Sequence, residues 1–150
     1  MNEIVNFTER IVDNITPVDA IGHPQADVGA FLQADGFSFA GVHLLIDLWG
    51  ARHLNDAAAI ERAFLRAVLR AGATLLHTNF HTFTPFGGVS GVAVLAESHI
   101  SVHTWPERRF AAADVFMCGA ARPHLAARVL IEALSPERIC MGEHRRGMSP

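Results

Sequence analysis

Val89-Ser90-Gly91-Val92-Ala93-Val94-Leu95-Ala96, Ile100-Ser101-Val102-His103-Thr104-Trp105 and Ala112-Ala113-Asp114-Val115-Phe116-Met117 follow one another with only short links between them. Each run is rich in strand-forming residues, and the links are too short for a helix. Consecutive strands joined by short turns pair antiparallel. Just upstream, residues 73–83 form another β-type run, in which alternation puts His77, Asn79 and His81 on one face. Residues 42–49 (VHLLIDLW) are a short apolar run and predict a buried strand.

Two helices complete the pattern. Asn55 or Asp56 can cap a helix over residues 57–70, with Ile60, Phe64 and Val68 along one stripe and Gly72 as its stop. Pro123 suits the first turn of a second helix ending near Leu134, with Leu125, Val129 and Leu130 expected inward. Ser135-Pro136 breaks that helix, and residues 138–143 predict a last strand. The order β-α-β-β-β-β-α-β implies an α+β two-layer sandwich, a largely antiparallel sheet with both helices on one face. The opposite face needs a cover that a second copy of the chain would supply, so a homodimer is expected.

Residues 1–40 differ in texture. Their apolar residues are scattered, Gly22-His23-Pro24 and Gly36 punctuate them, and Ile4, Ile11 and Val12 suggest a short helix over residues 3–14. They are expected to form an amino-terminal extension or arm on a domain spanning 41–150.

Bulk properties narrow the function classes. The 150 residues suit one domain, and 50% hydrophobic against 18% charged residues reads as globular. A net charge of −3, with no basic run beyond Arg108-Arg109 and Arg145-Arg146, argues against nucleic-acid binding. Cys118 and Cys140 give no disulfide framework and fit a reducing cytosol. No apolar segment reaches the roughly 18–20 residues that span a bilayer. Glu3, Glu9 and Arg10 interrupt any signal-peptide pattern, so a soluble cytoplasmic protein with no membrane partner is expected. All 12 basic side chains are Arg. Without Lys the chain cannot hold pyridoxal phosphate as an internal aldimine, so a carbonyl for amine chemistry must come from somewhere else.

Ser98 is the place to look for it. A serine hydroxyl can attack the carbonyl of the preceding residue, here Glu97, turning the peptide bond into an ester. Loss of the Cα proton eliminates the ester, and the dehydroalanine left behind hydrolyses to a pyruvoyl group. This needs a bent backbone, donors for the oxyanion and a base such as a neutral imidazole. His103 is a candidate base, Ser90 a donor from the neighbouring strand, and Cys118 a thiol able to return a proton to a substrate carbon. Other readings of these residues stay open. Ser98, His103 and Asp114 are the ingredients of a hydrolase triad, although no G-x-S-x-G elbow surrounds Ser98. The pairs His77/His81 and His99/His103 suit a metal on a helix but lie over ten ångströms apart on strands, at roughly 3.3 Å per residue. No metal is therefore expected. Gly87-Gly88 reads as a turn before a phosphate cradle, and Cys140 as a small core residue.

The wording of the motifs adds a resemblance. Gly88-Val89-Ser90-Gly91-Val92, Glu97-Ser98-His99-Ile100-Ser101-Val102-His103-Thr104-Trp105-Pro106-Glu107 and Asp114-Val115-Phe116-Met117-Cys118-Gly119 closely resemble the short prokaryotic S-adenosylmethionine decarboxylases. The resemblance runs over about residues 41–147, from Gly41-Val42-His43-Leu44-Leu45 to Glu143-His144-Arg145-Arg146-Gly147. It implies self-cleavage between Glu97 and Ser98 into a β chain of residues 1–97 and an α chain of residues 98–150 that begins with pyruvate. It implies Ser98 as pyruvoyl precursor, Ser90 and His103 as processing residues and Cys118 as proton donor. Glu107 matches a carboxylate that holds ribose hydroxyls, and Phe83 an aromatic that stacks on adenine. A dimer with sites at or near its interface, and a product used in spermidine synthesis, are also implied.

Three features depart from the family pattern: a Pro85-Phe86-Gly87-Gly88 turn one residue longer, Arg108-Arg109 after the Pro-Glu pair, and the amino-terminal extension. Because the pyruvoyl machinery serves any amino acid, L-ornithine or L-arginine remains an alternative substrate to S-adenosylmethionine. An uncleaved, non-enzymatic regulatory homologue is a further alternative.

Overall fold

The computed structural model describes residues 25–26 and 31–149. The helix expected over residues 3–14 lies outside them. Six strands make the main sheet: β4 (Gly41–Trp49), β5 (Leu75–Phe83), β6 (Gly88–Leu95), β7 (Ser98–Trp105), β8 (Phe110–Cys118) and β9 (Arg138–Arg146). Their order is β5-β6-β7-β8-β4-β9, with every neighbouring pair antiparallel. Helices α1 (Ala57–Ala71) and α2 (Pro123–Leu134) pack on each other and on one face of the sheet. The α+β two-layer architecture is the one expected.

Alternation produces the core. Leu44, Ile46 and Leu48 of β4, Ile100 and Val102 of β7, and Ala113, Val115 and Met117 of β8 point towards the helices and are buried. Helix α1 is capped by the Asp56 carboxylate, which accepts from Ala59 N–H at 2.9 Å, and buries Ile60, Phe64 and Val68 as expected. Phe80 of β5 lies across Gly91 of β6, where a Cβ would collide with its ring, and meets Phe64 edge-on at 5.2 Å. Thr104 locks β7 to its surroundings: its hydroxyl accepts from Val89 N–H at 2.7 Å and donates to Leu54 O at 2.6 Å.

One helix face differs from expectation. The buried face of α2 is Ala126, Ala127, Leu130 and Leu134, with Leu125 and Val129 only half-buried. Alanines are buried on both packed helices, Ala63, Ala67 and Ala71 on α1 and Ala126 and Ala127 on α2. Residues 31–40, within the expected amino-terminal arm, lie against the domain. β1 (Gln25–Ala26), β2 (Leu32–Ala34) and β3 (Phe37–Phe39) form a small antiparallel sheet. Its hairpin turns on Asp35 and Gly36, both at positive φ. Leu32 and Phe39 are buried, Ser38 pairs with Ser149, and Arg145 binds Asp35 at 2.7 Å while lying over the Phe39 ring. Among the described residues no helix is long and apolar enough to cross a membrane.

Candidate active site

The candidate residues cluster around β7, but at its two ends. At the amino-terminal end, Glu97 has φ +59, a left-handed conformation that costs a non-glycine residue about 1–2 kcal/mol. Ser98 follows it, and its Oγ accepts a hydrogen bond from Cys118 N–H at 3.1 Å. The Cys118 thiol is half-buried. Burial raises its pKa above the ordinary thiol value and the Glu97 carboxylate adds to the rise, opposed by the Ser98 hydroxyl. Gly41 on β4 leaves room for this sulfur, since a Cβ there would stand 3.0 Å from Cys118 Sγ and 2.5 Å from Met117 O.

At the other end, Ser90 and His103 are direct cross-strand partners, and Ser90 Oγ lies 2.8 Å from His103 Nδ1. They face a cavity of about 300 Å³ that Phe83, Phe86, Trp105 and Glu107 also line. Glu107 stands on the 3-10 turn Pro106–Arg108 that ends β7. Arg109 donates to Glu137 at 2.6 Å and to Gly50 O at 3.1 Å, which commits it to a partner outside the residues lining the cavity. That ion pair holds the exposed Glu137 carboxyl below its usual range.

Five residues separate Ser98 from His103, about 16 Å at the strand rise. Within one chain the structure therefore joins Ser98 to Cys118 and Ser90 to His103, and keeps the two pairs apart. Phe86 and Trp105 are cavity residues that sequence reasoning did not assign. Phe86 belongs to the lengthened turn, and Trp105 shares a strand face with His103, so parity alone could have found it.

A third group lies between the two ends on the face away from the helices. Asp114 Oδ1 binds His99 Nε2 at 2.9 Å, and Oδ2 accepts from Ser101 Oγ at 2.9 Å. His43 Nε2 is buried without a hydrogen bond, 3.5 Å from Asp114 Oδ1. Arg146 donates to His43 Nδ1 at 2.9 Å, and since guanidinium only donates, the neutral ring carries its proton on Nε2. Burial lowers the His43 pKa, more than the Asp114 carboxylate raises it. His43, His99 and Asp114 place donor atoms within 4.8 Å of one another, close enough for a cation. The proton on His43 Nε2 and the Arg146 cation oppose one, and the carboxylate is already engaged by His99 and Ser101. Nor do Ser98, His103 and Asp114 form a hydrolase triad, because Asp114 orients His99 and Ser101 rather than His103.

Comparisons with known proteins bear on the chain as a whole. The description of the S-adenosylmethionine decarboxylase family matches residues 42–147. A Thermomicrobium roseum protein named S-adenosylmethionine decarboxylase proenzyme is 42% identical over 109 residues, 72% of this chain and 94% of its own length. A Methanococcus maripaludis protein of the same name is 46% identical over 111 residues, covering 72% and 90%. The crystal structure of the adenosylmethionine decarboxylase from Aquifex aeolicus superposes with a TM-score of 0.64 at 36% identity, over 75% of this chain and 94% of that one. With its β-strand order, its Glu97–Ser98 junction and these relatives taken together, the chain belongs to the S-adenosylmethionine decarboxylase family.

Proposed function

We propose that this chain is a self-processing, pyruvoyl-dependent decarboxylase of S-adenosylmethionine. The observation that carries the reading is the junction itself: a left-handed Glu97 leading into Ser98, whose hydroxyl is held by the Cys118 amide. Cleavage there would yield the β chain 1–97 and the α chain 98–150. The residues around Ser98 fit a pyruvoyl group, because the Cys118 N–H that now meets Oγ is a ready donor for an oxygen at that place. When formed, the group supplies the electron sink for loss of CO2. Cys118, its thiol held protonated by burial, donates the proton that replaces the carboxyl group.

The remaining residues bind and prepare. Phe83, Phe86 and Trp105 offer aromatic surface for a purine, and Glu107 two acceptor oxygens for ribose hydroxyls. Those features favour a nucleoside-bearing substrate over ornithine or arginine, and the commitment of Arg109 to Glu137 removes one of the added cations from consideration. Ser90 and His103 are the donor and base assigned to processing.

The separation of about 16 Å between the two pairs is accounted for by a homodimer. The sheet face opposite the helices exposes Leu45, Trp49 and Trp105. A two-fold partner laid on it with strands reversed would bring the Ser98/Cys118 end of one chain to the Ser90/His103/Glu107 end of the other.

The test is intact mass after cyanoborohydride trapping with S-adenosylmethionine, ornithine or arginine in turn. An α chain beginning at residue 98 with a pyruvoyl mass, trapped only with S-adenosylmethionine, is expected. Ser98→Ala should remain one uncut chain without activity, and a cut, active Ser98→Ala protein would overturn the mechanism.

A further inference from the structure

We infer that Asp114 is a positioning residue: through His99 it anchors the chain end created at residue 98 once the Glu97–Ser98 bond is cut. The inference rests on the self-processing reading. Before cleavage Ser98 is held covalently through Glu97 to β6, by its Oγ contact with Cys118 N–H, and by its pairing with Leu95 at the last rung of the β6–β7 ladder; the β7–β8 ladder begins one residue on, at His99. Processing removes the first two. The Glu97 acyl group moves from Ser98 N to Ser98 Oγ, and elimination leaves that oxygen on the new Glu97 carboxylate. Addition of water then expels the Ser98 nitrogen as ammonia and installs the ketone oxygen. The reactive residue thus ends as the free first residue of a strand paired on both sides, with neither its hydroxyl nor its covalent tether. Free strand ends fray, and severing a short connection releases the closure constraint that kept the end in place.

The first side chain able to hold this end is His99, and the structure fixes it from several sides. Its Nε2 lies 2.9 Å from Asp114 Oδ1, and its ring packs at 5.8 Å from Phe116 and edge-on at 5.7 Å from His43. Asp114 is itself oriented, since Ser101 Oγ donates to its other oxygen at 2.9 Å. Asp114 sits on β8, four residues before Cys118 and in register with Ser101, so the anchor and the proton donor share one strand. A carboxylate that fixes His99 therefore fixes residue 98 relative to the Cys118 thiol. Misplacement by about 1 Å at such a centre costs on the order of a hundredfold in rate.

The anchor matters after cleavage and little before it, which gives a test. Asp114→Asn should process to completion, then turn over S-adenosylmethionine with kcat at least tenfold lower and KM within twofold of wild type. Amide exchange over residues 99–102 should quicken about tenfold in the cut enzyme, and change less than twofold when Asp114→Asn is placed in uncut Ser98→Ala. Ser101→Ala, which keeps the carboxylate but frees one of its oxygens, should show the same pattern at smaller size and serves if Asp114→Asn does not fold. Unchanged kcat in a fully cut variant, or equal quickening in cut and uncut chains, would overturn the anchor. A wild-type chain that stays whole takes down the processing reading as well, whereas a cut wild type with an indifferent Asp114→Asn takes down this inference alone.

Discussion

Cys118 has two jobs within one residue: its amide meets Ser98 Oγ, and its thiol is the candidate proton donor. The raised thiol pKa decides which form is present. A group raised above its ordinary value keeps its proton as pH climbs and loses it only on passing the higher value. Turnover that uses this proton should therefore persist through neutral pH and fall on an alkaline limb displaced above the usual thiol range. Cys118→Ala should still cleave, lose about a hundredfold in kcat and lose that limb. A pH–rate profile of both proteins checks this, and a limb unaltered by the substitution would remove the thiol from the role. Much of the residue-level picture was legible beforehand. The pairing of Ser90 with His103 could not be seen in spacing, since it depends on the β6–β7 register. The separation of Ser98 from His103 was implicit in five residues of strand. The meeting of His43, His99 and Asp114 was not, because β4 enters the sheet beside β8, far from its place in the chain.

Among the elements, β7 is the one on which everything converges, with β6 and β8 on its flanks. Its inner face is locked by Thr104, a buried hydroxyl satisfied by both Val89 N–H and Leu54 O. Thr104→Val keeps the shape and strands both partners. It should cost about 1–3 kcal/mol in denaturant unfolding, and a loss below about 0.5 kcal/mol would show that water or a shift re-satisfies them. Helix α1 was readable because its apolar period of 3.6 is strong and its ends carry Asp56 and Gly72, and the start of α2 because it carries Pro123. Helix α2 was placed, with Leu130 inward as expected, but Leu125 and Val129 are only half-buried while Ala126, Ala127 and Leu134 complete the buried face. The β2–β3 hairpin was passed over although Asp35-Gly36 is a turn pair, since short strands of three residues carry little periodicity.

The whole molecule shows why a cut at residue 97 need not release either piece. Strands β4, β5 and β6 would belong to the β chain and β7, β8 and β9 to the α chain, yet the sheet order alternates them. The α-chain pair β7-β8 is inserted between β6 and β4, and β4 is inserted between β8 and β9. Three backbone ladders, β6–β7, β4–β8 and β4–β9, therefore join the pieces. Each fragment alone keeps only a two-stranded ribbon beside its helix, β5-β6 or β7-β8, with its third main-sheet strand, β4 or β9, detached, and such ribbons are marginally stable. Uncut Ser98→Ala protein diluted from denaturant should regain its monomer fold at a rate independent of protein concentration. The cut protein should recover slowly, in a yield that rises with concentration; equal recovery of both would show that the fragments fold alone. The braided strand order thus gives the mature enzyme a memory. A chain cut as proposed would keep a shape that only its intact precursor could readily find, and the cut would then be a point of no return in the life of each molecule.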